Sequence, residues 1–219
     1  MRLVHWLTAL FTLICIFTAL ALKIPQIMVD LGGRTPLRIL HIFSGFLMPV
    51  PIIIGFMLPK RGKALRKDLR TLNWWDKEDK RWLRSWGVAK SLWTGKFNGG
   101  QKANAAFSGG MIVTMLMTGI VMASYSIFPL NWRQGATFVH NSLAFLAIII
   151  IAGHISYAFM EPASLRSMLT GRISRSWAKK HSPAWLDELE GVNTKPPSNE
   201  QEFLESINME DLVNKSKNQ

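Results

Sequence analysis

Five histidines occur in the 219 residues, and four of them fall within or at the edge of long apolar stretches. His140 and His154 share one such stretch, Ala136 to Phe159, reading ATFVHNSLAFLAIIIIAGHISYAF, which contains no Lys, Arg, Asp or Glu. Fourteen residues at 3.6 per turn set the two rings about 40° apart on one helical face and roughly 21 Å apart along its axis. In a hydrocarbon layer about 30 Å thick, one ring would lie near each surface. Ionisable groups in such a layer are usually functional and face the interior of a helix bundle. A neutral imidazole ligates metals, relays protons or hydrogen-bonds its neighbours. Two on one stripe at opposite depths suggest two stacked sites, each needing a partner from another segment.

The elements that must position these rings are legible as four apolar runs, 3–22, 36–58, 103–127 and 136–159. Each has the length of a transmembrane helix, so the chain reads as an all-α membrane protein, a four-helix transmembrane bundle. A signal peptide fits the first run poorly: its apolar core would be too long, no small-residue cleavage site stands out, and His5 and Trp6 sit at its start. The net charge of +12 is unevenly spread. Of 26 Lys and Arg, 22 fall at Arg2, between Pro59 and Lys102, or after Phe159. The positive-inside rule places both termini and the long loop between helices two and three in the cytoplasm. A topology signal with contact to anionic lipid accounts for this charge, and no nucleic acid is expected. Cys15, the single cysteine, cannot build a disulfide or an iron–sulfur site alone.

Depth then pairs the histidines. Helix one leaves the cytoplasm at His5, and helix two returns with His41 about a turn and a half inside its outer end. Helix four runs inward from His140 to His154. His41 therefore meets His140 near the outer surface, and His5 meets His154 near the inner one. Two bis-histidine b-type haems fit this pattern. Histidines hydrogen-bonded in pairs, and a proton path or metal transporter, remain open on the same residues. Zinc prefers four ligands and fits less well. No C-x-x-C-H is present for attached haem. Gly45, one turn beyond His41, would admit a flat ring or a close helix contact. Pro49 and Pro51 predict a kink in helix two. Gly109, Gly110 and Gly119 predict that helix three packs closely and supplies no ligand.

The cytoplasmic loop carries five tryptophans, Trp74, Trp75, Trp82, Trp86 and Trp93, and an amphipathic pattern around 76–86 that suits the membrane surface or a docking subunit. It ends in TGKFNGGQK, Thr94–Lys102, where Asn98 and Gln101 are either part of a helix-start turn or a polar pocket for a quinone carbonyl. His181 lies in a basic tail and reads as solvated. Residues 1–190 form the predicted membrane domain; 191–219 read as a polar, disordered tail with a possible short helix near 200–212.

Several motifs together resemble the cytochrome b (gamma) subunit of membrane-bound respiratory formate dehydrogenases, within the dihaem b-type cytochromes. They are RxxHW at Arg2–Trp6, RILH at Arg38–His41, GKFNGGQK at Gly95–Lys102, the fourteen-residue histidine spacing, and GRISRSWAKKHSPAW at Gly171–Trp185. The resemblance covers roughly residues 1–190. It implies an outer haem b on His41 and His140, an inner haem b on His5 and His154, and a quinone pocket (menaquinone or ubiquinone) at Asn98 and Gly100, beside His154, with Gln101 as an addition. It also implies an iron–sulfur (beta) subunit and a catalytic molybdenum or tungsten (alpha) subunit as partners, in a bacterial inner membrane. The chain would then be an electron-transfer subunit with no formate-oxidising site of its own. Another quinone-linked oxidoreductase as donor, such as a hydrogenase or thiosulfate reductase, and a membrane anchor without haem are the alternatives.

Overall fold

A computed structural model describes residues 1–85 and 94–192, and all regular structure among them is helical. In chain order the helices are α1 (Arg2–Lys23), α2 (Pro25–Asp30), α3 (Arg34–Leu47), α4 (Val50–Met57), α5 (Lys63–Asn73), α6 (Lys77–Arg84), α7 (Gly99–Ala123), α8 (Leu130–Met160), α9 (Pro162–Thr170), α10 (Arg175–His181) and α11 (Pro183–Glu190). Four stretches are long and apolar enough to cross a membrane: Arg2–Lys23, Arg34–Met57, Gly99–Ala123 and Leu130–Met160, with mean hydropathy between 1.8 and 2.2. The chain is an all-α, multi-pass membrane protein. Trp86, Trp93 and the predicted helix near 200–212 lie outside the described residues, as does all of the predicted tail except Gly191 and Val192.

The chain forms two compact units. The first comprises Met1–Asp68 and Phe107–Pro162 and holds all four spans, with α7 represented from Phe107 onward. Here α1 packs along α3 through the short α2 linker. Gly32 and Gly33 close that linker at φ of 87° and 92°, a conformation that costs a residue with a Cβ. The second span is interrupted after Leu47, at Met48 and Pro49. Pro49 and Pro51 have no N–H to give the preceding turn, so the predicted kink becomes a break between α3 and α4. Beyond α4, the Arg66 guanidinium donates to the carbonyls of Phe56, Leu58 and Pro59 at 2.6–2.9 Å, capping the helix end with a cation.

A band of Met48, Met111, Ile112 and Ala147 is buried in this unit, with Phe11, Cys15, Ile52, Phe107, Met115 and Ile151 packed around it. All four spans contribute to it. Ala147 is seven residues from each of His140 and His154, so the band lies midway between the two histidine levels. The outer faces carry exposed Phe17, Phe43, Phe46, Phe138, Phe145 and Phe159. Only 6–11% of each span is buried, the surface of a protein whose solvent is hydrocarbon.

The second unit comprises Leu69–Ala106 and Ala163–Gln219. In it α10 and α11 pack together, and an exposed Arg175–Glu190 ion pair joins them at 2.6 Å. His181 is exposed, as expected, and stacks on Trp177 with ring centroids 4.5 Å apart.

Candidate functional site

The four span histidines come together in two couples, both within the first unit. His5, in the first turn of α1, has its ring centroid 6.2 Å from that of His154, with ring planes 61° apart. His41 on α3 and His140 on α8 stand 6.3 Å apart with planes at 66°. A metal held between two imidazoles at about 2.0 Å from each nitrogen requires centroids about 6.3 Å apart. A direct N–H···N bond of about 2.9 Å would bring them to roughly 5.2 Å. Both couples have the wider spacing.

The outer couple has a further constraint. Thr18 Oγ1 lies 2.9 Å from His41 Nδ1 and 2.7 Å from the Ile14 carbonyl. Thr118 Oγ1 lies 2.9 Å from His140 Nδ1 and 2.7 Å from the Thr114 carbonyl. A hydroxyl has one proton. With that proton given to the carbonyl, each ring would donate from Nδ1 and keep a lone pair on Nε2. In that tautomer neither histidine has an N–H left for the other, which argues against a hydrogen-bonded pair at this couple. Two such rings with centroids 6.3 Å apart suit a Lewis acid between them.

Space and charge nearby fit a large flat group. A Cβ on Gly45 would meet nothing within 4 Å, so the face one turn beyond His41 is open rather than packed against a helix. Gly109 and Gly110 are likewise open, a correction to the close packing predicted for helix three: their missing side chains leave room without bringing another helix near. Gly119 lies beside the His140 ring, where a Cβ would be 3.8 Å from Cε1. Among the described residues, Arg133, on the same face as His140 and two turns before it, has Nε buried without a partner, and Thr8, one turn after His5, has Oγ1 buried without one.

In the second unit, the loop motif forms the start of α7. Gln101 N donates to Asn98 Oδ1 at 2.9 Å, and Asn98 N donates to Gln101 Oε1 at 3.0 Å. This reciprocal cap lets α7 begin at Gly99 instead of the predicted 103. A Cβ on Gly100 would fall inside the Trp82 indole, and one on Gly99 would meet the Asp79 backbone at 2.7 Å. The two glycines therefore admit α6 against the start of α7. Lys102 is buried there, donating to Asp79 Oδ2 at 2.5 Å and to the Trp74 carbonyl at 2.9 Å. Asp79 in turn accepts from Asp76 N at 3.0 Å. A partly open cavity of about 370 Å³ adjoins these groups, lined by Arg70, Trp74, Trp82, Phe97, Asn98 and Lys102 among others. Asn98 borders the cavity with only its Oδ1 committed to the cap; Gly100 and Gln101 are not in its lining.

Sequence reasoning missed Thr18, Thr118, Lys102 and Asp79. A hydroxyl in an apolar span at the depth of a histidine was the available signal for the threonines. For Asn98 and Gln101 the helix-start turn read from the sequence is the one formed.

Residues 1–171 match the family described as prokaryotic cytochrome b561. The formate dehydrogenase, nitrate-inducible, cytochrome b556(Fdn) subunit of Escherichia coli is 30% identical over 174 residues, 74% of this chain and 75% of the relative. The formate dehydrogenase cytochrome b556 subunit of Haemophilus influenzae is 29% identical over 208 residues, 85% and 79% of the two chains. The cytochrome b556(fdo) subunit of Escherichia coli formate dehydrogenase is 26% identical over 203 residues, 89% and 92%.

Proposed function

Because the chain belongs to the prokaryotic cytochrome b561 family, we propose that it is the membrane-anchoring cytochrome b subunit of a formate dehydrogenase. In this reading the chain carries electrons from an iron–sulfur subunit at the outer face, past two haem levels, to menaquinone or ubiquinone at the cytoplasmic side. The curated relatives are themselves formate dehydrogenase cytochrome b subunits, which supports the complex. Formate oxidation belongs to a catalytic molybdenum or tungsten subunit, since one cysteine cannot assemble the relay such chemistry needs. The basic loop and termini favour a cytoplasmic placement in a bacterial inner membrane.

The observation that carries the reading is the pair of 6.2 and 6.3 Å imidazole couples on a four-span bundle. His41 and His140 would hold the outer haem, and His5 and His154 the inner one. A b haem held by two histidines would supply one-electron transfer. The apolar band at Met48, Met111, Ile112 and Ala147 excludes water between the levels. Asn98 and the cavity beside it support a quinone site: the volume is in the usual range for a small-molecule pocket, and the amide Nδ2 can donate to a carbonyl.

Purified full-length protein tests this directly. Reduced-minus-oxidised spectra should show b-type bands, and a pyridine haemochrome assay should give two haems per chain. His41→Ala or His140→Ala should each leave one. A chain without haem, or variants that lose both haems or neither, would refute the ligand assignment.

A further inference from the structure

We propose that Thr18 and Thr118 are positioning residues that lock the tautomer and ring plane of His41 and His140, and that they set the outer site electronically apart from the inner one. The inference rests on reading the four histidines as haem ligands.

Back-bonding of threonine to the carbonyl four residues earlier is common in apolar helices and is not itself a function. Thr12, Thr114 and Ser156 do this without touching a histidine. Thr18 and Thr118 do it and also meet an imidazole. Each hydroxyl is held by two carbonyls, Ile14 at 2.7 Å and Cys15 at 3.1 Å for Thr18, Thr114 at 2.7 Å and Met115 at 3.2 Å for Thr118. The proton is committed to the helix, so an oxygen lone pair is turned toward the ring, 2.9 Å from Nδ1 in both cases. Thr18 is completely buried, so water cannot replace it. Cys15 Sγ also reaches the His41 carbonyl at 3.7 Å, tying α1 to the ligand's backbone as well as to its ring.

The arrangement is repeated on both ligands of one couple and missing from the other. Among the described residues, the rings of His5 and His154 have no hydrogen-bond partner; besides His154, His5 meets the edge of Trp6, with centroids 5.3 Å apart. An acceptor on the far nitrogen raises the basicity of a metal-bound imidazole and fixes its orientation. A more basic ligand favours oxidised iron, so a haem on His41 and His140 would have a lower potential than these ligands would otherwise give it. Two threonine-braced ligands would thereby favour release of electrons from the outer site toward the inner one. The first and third spans, which hold one ligand and none by the pairing above, thus shape the outer site through their threonines.

The test uses the full-length chain in membranes. Thr18→Val and Thr118→Val preserve shape and remove the acceptor; Thr18→Ser and Thr118→Ser keep the hydroxyl. Redox titration of the b-type band gives two transitions, and the outer one is identified as the transition missing from His41→Ala. Each Val variant should raise the outer midpoint, the double variant more so, with altered low-spin electron paramagnetic resonance g values for that haem and the inner midpoint unmoved. Selective loss of the outer haem also supports the inference, since loss of such a partner lowers metal affinity about 10- to 100-fold. Ser variants should restore the outer transition. Two haems retained with unmoved midpoints in the double Val variant, or equal effects on both haems, would overturn the threonine role alone. A wild-type chain lacking two haems would instead end the ligand reading beneath it.

Discussion

The side chains that carry the proposed chemistry are few and specific. Two imidazole couples have the spacing of a shared metal, and in the outer one each Nδ1 stands 2.9 Å from a threonine hydroxyl. Asn98 has two roles that a single substitution would mix: its Oδ1 caps α7, and its amide borders the cavity. Asn98→Ala should remove the cap at about 1 kcal/mol, whereas Asn98→Ser keeps a comparable cap. If the amide also donates to a quinone, both variants should slow quinone reduction several-fold with haem content intact, and only Ala should lower the melting temperature. Wild-type turnover in the Ser variant would leave Asn98 with the cap alone.

Between elements, the start of α7 is locked to α6 by residues that an amphipathic pattern does not reveal. Gly99 and Gly100 allow the approach, and the buried Lys102–Asp79 ion pair holds it. Breaking a buried pair from one side strands the other charge, at about 3–5 kcal/mol. Lys102→Met should therefore lower the denaturation midpoint sharply. The double variant Lys102→Met with Asp79→Asn should recover much of the loss, because neither charge is then left buried alone. A double variant as unstable as the single would show that the stem of Lys102, not its charge, matters there.

For the molecule as a whole, charge distribution predicts orientation. Alkaline phosphatase fused within the linker 24–33 should be active, and fused within the loop 60–98 or after residue 192 inactive. Green fluorescent protein should give the reverse. Activity on the same side for the linker and the loop would contradict the alternating spans, and uniform reversal would turn the proposed electron path around.

Four spans, a kink in the second at Pro49 and the meeting of His5 with His154 and His41 with His140 were legible beforehand. Hydropathy and helical rise are local quantities, and a bilayer restricts the remaining freedom to depth, so matching depths nearly specifies partners. The threonine braces were not legible. Thr18 and His41 are 23 residues apart, and Thr118 and His140 are 22, and their hydrogen bonds depend on which helix faces meet and where each hydroxyl is rotated. Open space at Gly109 and Gly110, where close packing was predicted, has the same origin: a missing Cβ permits both a neighbour and a vacancy, and the packing of the other spans chooses between them.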